Sequence, residues 1–463
     1  MDQSQKQNRN QMLGTAPIPK LIAKMAIPGV VAQLVNMLYN IVDRIYIGHI
    51  EGIGAAALTG VGLCMPILIL VMAFAQLAAS GSAPRAAIAM GQGNHREAEK
   101  IMGNCFSLLL VFAVALTAIV LIFAEPLLRL FGASDATIPY ALAYLRIYVS
   151  GSVFVLITLG LNPFLTAQGF SGFSMATVVI GAVTNIALDP ILIFGLHMGV
   201  QGAATATIIS QAVSTLFVLW FLTKGKRSVL KLRIWAMKLQ AKVFVPALEL
   251  GVSGFVMTAT ESLLNICFNA SLSAFGGDLA VGSMTIIASC SQLISMPIQG
   301  LTQGCQPIIS YNYGAGNMDR VKRCFHLTLL WSAAATTGYF LLTMFFPQMF
   351  VRIFNNDPAL IAHTTWTMRV YMAGIFAMGF QVACQQTFMA LGQAKVSLLL
   401  ACLRKLILLI PLIFVLPFFF ENKVFAVFLA EPVSDILAAT VTTTVFFRRF
   451  EKILKAGPGR IGA

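Results

Sequence analysis

Five acids fall inside or against long apolar runs of this chain: Asp43, Asp189, Glu261, Glu431 and Asp435. A carboxylate in hydrocarbon is costly and is a functional candidate by default. Two tasks suit it, namely taking up and releasing a proton, or answering a cation. Asp43 sits in "YNIVDRIYIGH" with Asn40 three and Asn36 seven residues before it, all on one helical face. Such a stripe either lines a polar cavity, or ends in an Asp43–Arg44 pair at the membrane interface with Arg44 reaching outward. Neighbours on a helix point roughly 100° apart, which disfavours the pair.

In "GAVTNIALDPILIFG", Asn185 and Asp189 are four residues apart, and Pro190 leaves the Ile186 carbonyl without its donor. Thr205 and Thr207 in the following apolar run have hydroxyls within reach of such a pair. The set is either a proton-holding network or a structural hydrogen-bonded helix pair. In the second half of the chain, Glu261, Asn265 and Asn269 share a face, Gln381, Gln385 and Gln386 cluster, and Glu431 and Asp435 follow. Together with Gln292 they read as a second polar lining, or as interhelical hydrogen-bond glue.

The elements carrying these groups are set by composition. Of 463 residues, 58% are hydrophobic and 10% charged, against about 25% charged in soluble proteins. Runs of about 20 apolar residues cross a bilayer. Twelve are expected, near 25–47, 57–80, 102–124, 138–163, 172–195, 200–223, 245–272, 280–303, 325–350, 364–390, 396–420 and 424–447. The polar first twenty residues hold no cleavable signal. The net charge of +14 is explained by placement: with the N-terminus inside, 25 of the 31 basic residues fall on the cytoplasmic side, Arg404 and Lys405 counted among them. Nucleic acid is not needed to explain the charge. The eight cysteines form no C-x-x-C pair and read as buried small hydrophobes.

The chain also repeats itself. "MGQGNHREAEK" at 90–100 resembles "YGAGNMDRVKR" at 313–323, an offset of 223 that also pairs Gly54 with Gly277, Gly81 with Gly304, Tyr148 with Tyr371 and Gly169 with Gly392. The fold class is therefore an all-α polytopic membrane protein of twelve transmembrane helices in two homologous, parallel six-helix lobes. The expected parts are a cytoplasmic segment 1–24, an N-lobe 25–223, a basic linker 224–243, a C-lobe 244–447 and a basic tail 448–463. The offset places Asp189 on Leu412 and Asp43, less securely, on Ile266, so the acids are specialised within each half.

Parallel repeats with midplane polar groups point to a secondary transporter with its substrate site between the halves. No Walker A motif, H-E-x-x-H or G-x-S-x-G is present, which argues against an ATP-driven cassette and a membrane enzyme. Asymmetric acids disfavour a channel. A lipid-precursor flippase would want a cationic cavity, and only Arg44, Arg146 and Arg369 are read as near the spans.

The motifs "NIVDRIYIG", "GQGN" and "GAGN", "TNIALDP", "GAATATIISQ", "MPIQGLTQGCQPIISYNYGAG" and "LAEPVSD" resemble the multidrug and toxic compound extrusion (MATE) transporters over essentially the whole chain, in the manner of the bacterial MepA-like branch. The resemblance implies a V-shaped twelve-helix protein in the inner (plasma) membrane, both termini cytoplasmic, exporting drugs and organic cations in exchange for H⁺ or Na⁺. It implies ion coupling through Asp43, Asn185, Asp189 and Thr207, and through Glu261, the counterpart of an acid that couples cations in some branches. The Asp those branches carry on the tenth helix is absent here, where the run reads "GFQVACQQTFMALG". The cavity is expected to be lined by Asn36, Asn40, Gln292, Gln381 and Gln385. Small molecules and lipids are the expected partners, nucleic acid is not, and the chain is expected to act as a monomer with no cofactor or metal.

Overall fold

The computed structural model describes residues 12–50, 53–131, 133–354 and 357–459. Lys6, Arg9 and Arg460 of the basic count lie outside them. The described residues are helical throughout, with no strand among them. In the first half, α1 is Ile18–Gly48, α2 Gly54–Gly91, α3 His95–Leu130, α4 Ile138–Ser150, α5 Ser152–Ala167, α6 Ser171–Pro190 with a π turn Ile191–Gly195, and α7 Val200–Thr223. In the second half, α8 is Ala241–Gly314, α9 Met318–Phe345, α10 Pro347–Phe354, α11 Pro358–Tyr371 and α12 Ile375–Ala390. There follow α13 Ala394–Cys402, running into a π segment Leu403–Leu409 and α14 Ile410–Val415, and then α15 Lys423–Ala456.

These resolve into the twelve expected crossings. Helices α4 and α5 meet at a 53° bend and form one span. The 74 residues of α8 at 1.5 Å each would reach about 110 Å, several times a bilayer of about 30 Å. The helix breaks at Gly277, where φ is +60°, which makes it two crossings. Helices α11 and α12 are joined by a three-residue turn, Met372–Gly374, and cross together.

The repeat is visible in the backbone. Gly54 opens α2, and its counterpart Gly277 is the break that opens the second arm of α8. Left-handed φ values fall on repeat-related glycines, +76° at Gly93 and +77° at Gly316, then +84° at Gly169 and +73° at Gly392. Those positions demand glycine. After each of the first pair an asparagine begins a helix, and Asn94 accepts from the Glu97 N–H at 3.1 Å.

The lobes join through α1, α2 and both arms of α8. A Cβ on Gly81 would fall 1.8 Å from the Ala247 carbonyl oxygen, and one on Gly251 1.8 Å from that of Leu77. The other half mirrors this: a Cβ on Gly304 would fall 2.6 Å from the Ala26 Cα, and one on Gly300 2.6 Å from that of Val30. Small residues let the backbones touch, as membrane helices without a hydrophobic drive require. Toward the loops, Gly91 lies against Tyr311 and Gly314 against Ile88.

All these contacts lie on the side where the chain ends meet, called here the termini side. The Asn312 amide there donates to the Leu13 carbonyl at 2.8 Å, Arg320 donates to that of Ala16 at 2.7 Å, and Gln92 donates to that of Gly459 at 3.0 Å. Leu13 and the start of α1 (Ile18, Leu21, Ile22, Met25) are buried against Phe325, Phe388 and Phe446 of the second half. The segment ahead of α8 docks reciprocally on α3, where Asn104 bonds the Ala236 and Lys238 carbonyls and the Gln240 N–H. On the far side, by contrast, α1 and the first arm of α8 expose Asn36, Asn40, Glu261, Asn265 and Asn269. Exposed polar groups at membrane depth are costly against lipid and suit the lining of a water-filled cleft.

One expectation is corrected. Arg404 and Lys405 do not lie at the cytoplasmic end of a span. They begin the π segment ten residues into the crossing from Ala394, about 15 Å along the helix, and Lys405 is 5% exposed. Both are held there by acids. The basic asymmetry survives their removal.

Candidate polar sites in the two lobes

In the first lobe the groups come from four elements. The π turn that follows Pro190 ends α6 just beyond Asp189. That proline cannot donate to the preceding turn, and the backbone loosens where it fails to. Asn185 and Asp189 are fully buried and Thr207 is 5% exposed. The Asn185 amide donates to Asp189 Oδ1 at 3.4 Å and to Thr207 Oγ1 at 3.5 Å, and the Thr207 hydroxyl donates to the Ala203 carbonyl at 3.0 Å. Thr205 instead bonds within its own helix, to Gln201, on an exposed face.

Asp43 reaches this network from α1. Its carboxyl lies within side-chain interaction range of that of Asp189. A carboxyl–carboxyl hydrogen bond requires a proton on one partner, because ionised carboxylates only accept. Asp43 Oδ1, Asp189 Oδ2 and Asn185 Oδ1 are buried without a donor. A proton or a cation at this place would satisfy acceptors that the protein itself leaves unmatched. Tyr39 and Tyr144 stand within electrostatic reach, and Tyr144 stacks on Tyr148 with ring centres 6.1 Å apart.

Arg44 is exposed and forms no ion pair with Asp43. The Asn40 amide donates to the Asn36 carbonyl at 2.6 Å, and both residues face the open side. Asn36, Asn40 and Asp43 thus form a polar track from the cleft to the buried pair.

The second lobe holds a different arrangement. Arg404 donates through Nε to Asp435 at 2.7 Å and through Nη2 to Glu431 at 3.1 Å. Lys405 pairs with Glu261 and donates to the Met257 carbonyl at 2.7 Å. Ser434 donates to the Arg404 carbonyl at 2.9 Å. Glu261 therefore meets a protein cation on one side and the cleft on the other, its side chain 57% exposed. Tyr371 lies beside this cluster, and its repeat partner Tyr148 stacks on Tyr144 in the first lobe. Gln292 is exposed, whereas Gln381 and Gln385 are buried, and Gln385 donates to the Ser397 carbonyl at 3.0 Å.

Arg404, Lys405, Tyr144 and Tyr371 were not among the sequence-derived candidates. A signal existed for the two cations. They fall inside the expected run 396–420, and three acids elsewhere in the half lacked partners. The two cations are neutralised by those acids, so they do not form the phosphate-seeking cavity of a flippase.

The sequence profile of the MatE family matches residues 28–191 and 255–415, one stretch in each lobe. The Multidrug export protein MepA of Staphylococcus haemolyticus is 25% identical over 421 residues, covering 90% of this chain and 92% of that protein. The protein of the same name from Staphylococcus aureus (strain N315) is 24% identical, with 92% and 94% covered. Among solved structures, a MATE protein in the bent conformation superposes with a TM-score of 0.90 at 22% identity, covering 97% of this chain and 98% of that one. An outward-facing multidrug resistance MATE transporter of the MOP superfamily superposes at 0.88 and 22% identity, with 96% and 98% covered.

Proposed function

Since the chain belongs to the MatE family of multidrug efflux transporters, and so is a transporter and not an enzyme, we propose that it exports organic cations in exchange for protons by alternating access. The observation that carries the proton is the approach of the half-buried Asp43 carboxyl of α1 to the buried Asp189 carboxyl of α6, two groups that can share a hydrogen bond only when one of them is protonated.

The orientation follows from the basic residues. The termini side is the cytoplasmic one, so the seam described above closes the path to the cytoplasm and the cleft opens outward. The superposition on a structure described as outward-facing supports this reading. In the outward-open state a proton enters from outside and joins the carboxyls. Neutralised, they no longer hold a cationic substrate, which leaves along the Asn36–Asn40 track. Loss of the proton to the cytoplasm restores a paired negative charge, which attracts the next cation.

The α1 helix suits the coupling role. Its start is embedded in the second lobe's core and its far half carries Asp43 to the first lobe. A change in the Asp43–Asp189 contact is thereby a change in how the lobes are held together. Asn185 and Thr207 position Asp189. Glu261, engaged by Lys405, is assigned to the cleft's electrostatics and not to a sodium site, in keeping with the missing acid on α12.

Proteoliposomes test the coupling. Efflux of a fluorescent cation such as ethidium is expected under an imposed pH gradient and not under a sodium gradient at constant pH. Transport driven only by sodium would reject proton coupling.

A further inference from the structure

The seam on the termini side holds a half-open cavity of about 520 Å³, lined by both lobes. Arg85 of α2, Lys100 of α3 and Lys242 in the first turn of α8 converge on it. The C-terminal stretch forms one wall. The Tyr313 hydroxyl donates to the Gly457 carbonyl at 2.9 Å and the Gln92 amide to that of Gly459 at 3.0 Å.

The charges in this cavity do not balance. Lys100 is answered by Glu97 at 3.0 Å. Arg85 and Lys242 have no ion pair among the described residues, although Glu97 and Glu249 lie in the wider surroundings of Arg85. The Arg85 Nε atom is buried with no acceptor. A guanidinium with a buried, unmatched donor carries the cost of desolvation without the hydrogen bond that offsets it. Lys242 also opens α8, whose N-cap Gln240 makes no side-chain cap bond. Gln240, Lys242 and Val243 all line the cavity, Lys242 as an exposed residue at its rim, so the positive end of a helix adds to the part-buried Arg85 and the exposed Lys242.

The geometry points to a binding site for a phosphate-type oxyanion, bridging Arg85 of the first lobe and Lys242 at the start of α8. Arginine supplies the planar fork that such an anion accepts from, and lysine a point charge. Because both lobes build the walls, the site exists only while the seam is closed. The anion therefore stabilises the state described here and slows the opening of the termini side. The oxyanion is either free in solution or the headgroup phosphate of an anionic lipid.

Full-length protein in phosphatidylcholine nanodiscs separates these sources. In one arm inorganic pyrophosphate is titrated at constant ionic strength. In the other, phosphatidylglycerol replaces part of the lipid and no pyrophosphate is added. The expected result is a saturable rise in thermal midpoint in at least one arm, and the responding arm identifies the source. Lys242→Gln and Arg85→Gln are each expected to weaken the response about tenfold, the worth of one charge-assisted hydrogen bond. Lys226→Gln, at a linker position that does not line the cavity, is expected to leave it intact. Should Arg85→Gln fail to fold, Lys242→Gln carries the comparison alone. No shift in either arm would overturn the site, and so would a shift equally lost with Lys226→Gln or retained with Lys242→Gln. The readout is independent of transport, so it stands or falls apart from proton coupling.

Discussion

Asp43→Asn is expected to reduce pH-driven export of a cationic dye to the level of protein-free vesicles, while the protein still folds and inserts. The asparagine amide can donate to Asp189, so the α1–α6 contact persists in its protonated form without the ability to release a proton. Folding stability should change by no more than about 1 kcal/mol, since one hydrogen bond replaces another. Dye export and thermal unfolding, measured on the same preparation, separate coupling from folding. Asp189→Asn is the harsher change, because Asp189 also receives Asn185. Undiminished export by Asp43→Asn would remove this carboxyl from the mechanism.

The second large effect is on stability. Arg404→Met leaves Asp435 and Glu431 buried without their cation. Breaking one partner from a buried ionic group costs about 3–5 kcal/mol. The expected outcome is a large fall in thermal midpoint, or loss of folded protein from the membrane fraction. The triple variant Arg404→Met, Glu431→Gln, Asp435→Asn removes all three charges together and should recover most of the loss. Measuring the single and triple variants side by side checks this. If the triple is as unstable as the single, the ionic reading of the cluster is wrong and packing alone explains the loss.

Much of the architecture was legible because bilayer physics leaves few choices. A run of apolar residues long enough to cross becomes a helix, and the 223-residue offset identified glycines that the backbone uses identically. Gly93 and Gly316 are left-handed, as are Gly169 and Gly392. Asn185, Asp189 and Thr207 were also readable, since i, i+4 spacing on α6 and a facing hydroxyl on α7 suffice to bring them together.

Groups joined across distant helices were less accessible. Nothing local in "CLRKLILLIPLIF" says that Lys405 meets Glu261, 144 residues earlier. A cationic pair next to the start of a span looks like a cytoplasmic anchor until its depth is counted from Ala394. The tyrosines were hidden for a different reason, because an aromatic in an apolar span reads as packing and its neighbour cannot be known. The glutamines of α12 erred the other way: their spacing suggested a lining, yet Gln381 and Gln385 turn inward. Periodicity says which residues share a face and not what that face meets.

The central claim is that a proton on the Asp43–Asp189 pair is exchanged for a cationic substrate. Proton release on binding tests it most directly. Purified protein in a weakly buffered detergent solution is mixed with tetraphenylphosphonium, and released protons are followed with a pH indicator alongside bound cation. The account predicts release of about one proton per bound cation, as expected when one charge displaces another at a shared site, and little or none from the Asp43→Asn, Asp189→Asn double variant. Cation binding without proton release, or equal release from the double variant, would contradict it.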